Sequence, residues 1–192
     1  TGAYRDDAGQ WHGDPGNPSY YHFHDDLPDA HNQLGHYRNR VEFLGHEDIG
    51  GKTILHLIDG IIAGRNWSAE PEPWSLPPFD ASGGWPCSLF LSMDPVAIDS
   101  VGLDFLLEQW PEHAGMVAAE DYMIEAALAY DPPSGTFYDP NHSGNVSRLS
   151  SQGVHEHWNN LIDKQYSQNI DSESETGIEL LLIEDNYNIL TW

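Results

Sequence analysis

Two short stretches carry a His-x-His pair, "HFHDD" beginning at His22 and "VHEHW" beginning at Val154. In extended backbone, residues i and i+2 point to the same side, so His22 with His24, or His155 with His157, can present two imidazoles to one ion. Two nitrogen donors with Asp25 or Glu156 close by suit zinc, copper, nickel or iron. In a chain this acidic the same histidines also serve as hydrogen-bond partners for carboxylates, and both readings stand. The second pair opens the stretch "GVHEHWNNLIDKQYSQN", from Gly153 to Asn169. Few of these side chains are needed to fill a core. Trp158, Asn159, Asn160 and Lys164 are therefore candidate ligand-binding residues.

Three aspartates are candidate catalytic groups. Asp59 stands near the end of the apolar stretch "KTILHLIDGIIAG", where strand ends of α/β sheets receive ligands. A carboxylate is costly to bury there without a partner, although capping a nearby loop is also open to it. Asp94 and Asp99 flank the start of "DPVAIDSVGLDFLLEQW". Helix capping accounts for Asp94. Asp99 sits in the first turns, where the helix dipole favours a negative charge. Aspartates converging from strand and helix would want a metal or a shared proton. Trp67, Trp74 and Trp85 crowd one Pro-rich loop, either pinning it to the core or forming an aromatic platform for a sugar or other flat ligand.

The bulk properties bound these readings. The chain has 192 residues, 31 acidic against 7 basic side chains and a formal net charge of −24. Such a surface repels nucleic acid and anionic membranes, and it suits a halotolerant protein or one that collects divalent cations such as calcium. Cys87 is the sole cysteine, so an intrachain disulfide and a Cys-ligated iron–sulfur cluster are excluded. No apolar stretch approaches the ~20 residues that span a bilayer. The first residue is Thr1, which fits a processed or trimmed chain, or a fragment. Sequons at Asn66, Asn141 and Asn145 matter only in a glycosylating secretory pathway, where the chain would be a glycoprotein.

The elements that position these groups follow from periodicity. Residues 1–30 are polar and turn-rich and read as an extended arm, and 31–192 read as one α/β domain. Leu34, Tyr37, Val41 and Leu44 recur at helical spacing over about 29–44. "KTILHLIDGIIAG" and "CSLFLSM" read as buried strands covered on both sides, and "GIELLLIED" as a closing strand. Residues 94–110 form the strongest helix, with Asp94 at the N-cap and Pro95 at the first position. Gly102 inside it suggests that another element packs closely there. A further helix is expected over 118–130. The expected fold is α/β, a mixed or mostly parallel sheet flanked by helices, with long Pro-, Gly- and Trp-rich loops.

"ILHLIDGIIAG", "LFLSMDPVAIDSVGLDFL" and "DYMIEAALAYDPPSGTFYDP", followed by "GVHEHWNN", "KQYSQN" and "GIEL", resemble the family catalogued as domain of unknown function 362. The segment from Ser92 to Asp99 is its most recognisable element, and the resemblance covers roughly 45–182. The chain resembles in particular the exported members whose C-terminal part carries a His-x-His-Trp-Asn-Asn segment. The resemblance implies a secreted, periplasmic or cell-surface protein. It also implies the C-terminal part of a larger domain, with another chain or a missing portion completing the sheet. It implies no settled activity, and the iron–sulfur ligands of some relatives have no counterpart here.

Three classes of function remain open. One is an exported, metal-binding, hydrolase-like or lyase-like enzyme acting on a carbohydrate or other polar small molecule. Its site would gather Asp59, Asp99, His155 and His157 around a divalent ion, with zinc, iron and calcium the candidates. The second is a non-catalytic binding or assembly module stabilised by cations. A redox partner, the third, would need a cofactor from outside.

Overall fold

The computed structural model describes residues 4–5, 11–12, 39–65, 69–79, 83–111, 115–138 and 146–183. It is a mixed α/β structure. Strands β1 (Tyr4–Arg5) and β2 (Trp11–His12) pair antiparallel within the expected N-terminal arm. Helix α1 (Asn39–Gly45) covers the last part of the first expected helix, and 31–38 lie outside the described residues. After a 3-10 turn at Gly50–Lys52 come strands β3 (His56–Gly60) and β4 (Ser88–Ser92). Helices α2 (Pro95–Gln109), α3 (Gly115–Ala127) and α4 (Ser167–Ile170) follow.

The sheet differs from the one expected. Among the described residues, β3 and β4 form a two-stranded antiparallel pair in which Ile58 faces Phe90 and Leu57 faces Leu91. No parallel pairing occurs among them. One face of the pair packs on α2, and the other is bare: Leu57, Leu89 and Leu91 are 56%, 58% and 60% exposed. An apolar run reads alike whether both faces are covered or one awaits a partner, so periodicity could not separate these cases. The expected closing strand is also absent over 177–183. There, backbone N–H groups bond to side chains instead of a ladder. Ile178 N donates to the Glu156 carboxylate, and Leu180 N donates to Asn169 Oδ1 at 2.8 Å.

Helix α2 is the spine of the molecule. Asp94 caps it, its Oδ1 accepting from Val96 N and Ala97 N at 2.8 Å each, and Pro95 begins it without needing a hydrogen bond. The helix is buried on nearly all sides, through Val96, Ile98, Val101, Leu103 and Phe105 as well as Ser100 and Asp104. Each large apolar side chain buried this way contributes roughly 1.5–3 kcal/mol. Gly102 marks the close approach anticipated from the sequence. A Cβ there would stand 3.1 Å from Ile58 Cδ1, so the bare backbone admits β3. Edge-on aromatic contacts run through the core, Trp110–Trp74 at 5.4 Å, Trp74–Phe79 at 5.0 Å and Phe105–Trp158 at 5.0 Å between centroids.

Asp94→Ala removes the cap of α2 and also the acceptor for Val154 N. Urea denaturation is expected to show a loss of about 1–2 kcal/mol. Asp94→Ser, which keeps an N-cap oxygen, should recover part of it.

Candidate metal centre

The stretch after Gly153 lies against α2 and is tied to it at both ends. At the first end, Asp94 Oδ2 accepts from Val154 N at 2.9 Å. Gly153 permits this approach, because a Cβ there would fall 2.0 Å from Asp94 Oδ1. At the other end stands Asp104, which is 4% exposed. Its carboxylate receives His157 Nδ1 at 2.6 Å, Trp158 N at 3.1 Å and the Tyr166 hydroxyl at 2.6 Å. A buried carboxylate is stable only with such a complement of donors. Burial, and then the bond to Asp104, push the Tyr166 phenol well above its ordinary range, so it remains a donor.

These bonds orient the two imidazoles. Asp104 can only accept, so in neutral His157 the proton sits on Nδ1 and Nε2 presents a lone pair. That Nε2 lies 3.4 Å from Glu120 Oε1 on α3. His155 Nδ1 lies 2.8 Å from Ser100 Oγ, whose hydroxyl donates to the Val96 carbonyl at 2.8 Å. With the hydroxyl proton assigned to that carbonyl, His155 Nδ1 donates and its Nε2 is likewise left with the lone pair. The rings stand 5.1 Å apart between centroids.

One ligand atom from each of Glu120, His155 and His157 falls within 4.8 Å of the others. Around a tetrahedral zinc with ~2.0–2.1 Å bonds, neighbouring donors stand about 3.3 Å apart. The His157–Glu120 pair already has that spacing, and the remaining closure is at most roughly 1.5 Å, which side-chain rotation supplies. His157 and Glu120 are 42% and 41% exposed, so the centre opens to solvent. The environment splits the two histidines. Burial, followed by the charge of His157, lowers the pKa of His155. Burial also pulls His157 down, but the hydrogen bonds and charges of Asp104 and Glu120 together outweigh it and raise its pKa.

None of the aspartates named from the sequence belongs to this ligand group. Asp94 is spent on capping and on Val154. Asp59 is exposed, and its Oδ1 accepts from Ile61 N at 3.0 Å, a local loop bond. Asp99 faces β3 from α2, paired with Arg40 Nη2 at 3.1 Å and with the Tyr122 hydroxyl at 3.4 Å. Asp59 and Asp99 line one cavity of about 290 Å³ together with Trp74, Phe79, Phe90 and Phe105. His155 and His157 do not line it. The single site expected from the sequence is thus two groupings, a cavity holding the aspartates and a polar cluster holding the histidines.

Of the candidate ligand-binding residues, Asn159 and Asn160 build turns. Asn159 Oδ1 accepts from Gln165 N at 3.0 Å, and Asn160 Oδ1 accepts from Ile162 N and Asp163 N at 2.9 Å each. Trp158 is half-buried against Phe105. Lys164 Nζ lies 5.2 Å over the Trp158 ring and 3.0 Å from Glu108 Oε1. His22 and His24 lie outside the described residues, as do Trp67 and the three sequon asparagines. Sequence reasoning missed Glu120, Ser100 and Asp104. Asp104 did carry a signal, being a charge amid "VGLDFLL" on a buried helix. Glu120 had none, since α3 and its flank bear several acids.

No family model, curated protein or solved structure matches the chain. Among the described residues, no helix is long and apolar enough to cross a membrane.

Burial is the first cause of the raised pKa of Asp99, and Arg40 and Tyr122 only partly oppose it. The folded chain therefore holds this proton more tightly than the unfolded chain. Its stabilising contribution is complete below the ordinary value of 3.8 and is lost as pH rises through the elevated folded value. Asp99→Asn removes that loss. Denaturation midpoints of variant and wild type should diverge in favour of the variant as pH rises from about 4 to 7.

Proposed function

We propose that this chain binds one divalent transition-metal ion through Glu120, His155 and His157, and that it is a hydrolase-like or lyase-like domain acting on a polar substrate at that ion. The observation that carries this reading is the convergence of the three ligands with both imidazoles oriented from behind, His157 by Asp104 and His155 by Ser100. Carboxylate–histidine–metal relays of this kind fix ring orientation and raise ligand basicity. Two histidines and one glutamate leave coordination positions for water and substrate, as in zinc hydrolases. The bound ion would lower the pKa of its water or polarise a substrate carbonyl. Zinc and iron fit this donor set. Calcium, which takes six to eight oxygens, fits it poorly.

An exported setting for this chemistry follows from the resemblance to domain of unknown function 362 alone. A second reading, a contact module completed by another chain, is favoured by the bare apolar face of β3 and β4. Metal content separates the two.

Protein purified without added metal is expected to carry close to one equivalent of zinc or iron per chain by elemental analysis. The His155→Ala/His157→Ala double variant should carry none. Metal retained in a folded double variant, or a metal-free wild type that takes up no zinc on titration, removes the proposal. Asp104→Asn keeps the shape but weakens the relay, and zinc affinity should fall about 10–100-fold.

A further inference from the structure

The β3–β4 pair packs one face on α2 and leaves the other uncovered among the described residues. Side chains alternate along a strand, so Leu57, Leu89 and Leu91 share the uncovered face, with Leu57 directly opposite Leu91 in the register. Leu55, Ile61 and Met93 continue the same alternation just beyond the strand ends. The six side chains belong to residues that are 49–81% exposed. At about 200 Å² for each residue when fully open, they leave roughly 700 Å² of aliphatic surface. That is above the ~300–600 Å² of the largest patch on a typical monomer and close to the ~800 Å² that each partner gives to a standard interface. One carboxylate shares the face. Asp59 stands toward its Ile61 end, where its Oδ1 accepts from Ile61 N.

We propose that a second copy of the chain occupies this face, packed sheet on sheet about a twofold axis near Leu57 and Leu91. Sheets stack face to face about 10 Å apart with their strands within about 30° of each other. A twofold axis sets the same aliphatic row against itself, so every side chain on the face meets another of its own kind. The resulting layers are helix, sheet, sheet and helix, which covers both faces of each pair. Charge selects the same occupant. Each chain carries a formal net charge of −24, and two such chains meet best where acids are fewest, with the remaining charge turned to water. A basic partner would be drawn to the acidic surface at large, but a face with one acid gives it little to pair with. A contact centred on Leu57 and Leu91 leaves both Asp59 carboxylates at its rim. The inference gives the second reading above its occupant and rests on that reading. It does not depend on the metal centre, since Glu120, His155 and His157 lie outside β3 and β4.

Sedimentation velocity of the full chain in about 0.5 M NaCl is expected to show a dimer of 21.5 kDa chains, with Kd at or below about 10 μM. Lowering the salt to about 0.05 M lengthens the range of the repulsion and should weaken the dimer severalfold. Leu57→Glu and Leu91→Glu, each at an exposed position, should be monomers at about 100 μM. Both should keep the circular dichroism spectrum and the zinc uptake of wild type, so loss of the dimer and failure of the metal centre are read separately. Ile162→Glu, at an exposed aliphatic residue outside the pair, should dimerise as wild type does. Asp59→Asn, which keeps the acceptor for Ile61 N, should tighten the dimer about threefold at low salt. A dimer that persists in both glutamate variants, or that is indifferent to Asp59→Asn, overturns the face. A wild type that is monomeric at about 100 μM overturns the second copy as its occupant. The face is then covered by another part of the same chain if Leu57→Glu lowers the urea midpoint, and by a different protein if it does not.

Discussion

The buried carboxylate of Asp104 is the constraint on which the histidine cluster depends. It stands midway along α2, 4% exposed, and such a charge survives only if its oxygens are occupied. The donors come from the 153–170 stretch: an imidazole, a backbone amide and a phenol. Satisfying Asp104 therefore docks that stretch onto α2, and docking it presents His155 and His157 side by side. The fold and the candidate chemistry share one hydrogen-bonding group.

Helix α2 divides its faces between two tasks. Val96, Ser100 and Asp104 recur at four-residue spacing, and Ser100 and Asp104 meet the two histidines. Asp99, Gly102, Leu103 and Leu106 lie on the side that lines the cavity toward β3. A helix with this much buried surface has no solvated side to which a polar residue can escape. Each polar side chain on it must be matched, and the matching partners organise the neighbouring segments. Asp94 extends the pattern to the helix start, where one carboxylate serves both the cap and Val154.

What was legible in the sequence tracks the range of the interaction. Helix α2 was legible to within a residue, because capping by Asp94 and Pro95 and the spacing of Ile98, Val101 and Phe105 are local signals. Gly102 was read correctly as a close approach for the same reason. The α/β class was legible and the pairing direction was not. Whether "HLIDG" and "SLFLS" run parallel depends on which strands lie alongside, and nothing within five residues encodes that. The closing strand failed because side-chain acceptors, Glu156 and Asn169, captured its amides. At the site, the pairing of His155 and His157 on one side was legible from i, i+2 spacing. Their third partner was not, since Glu120 is one acid among several on its helix and is selected only by tertiary placement.

The division between fixed and adjustable ligands bears on what such a centre can do. His157 and His155 are held from behind by groups on α2, whereas Glu120 belongs to α3 and is 41% exposed. In the proposed centre the Glu120 carboxylate would move to close around an ion while the two imidazoles stay on their partners from α2. The surrounding negative charge then acts in the same direction as the donor set. It draws divalent cations toward the cluster and repels polyanions such as nucleic acid.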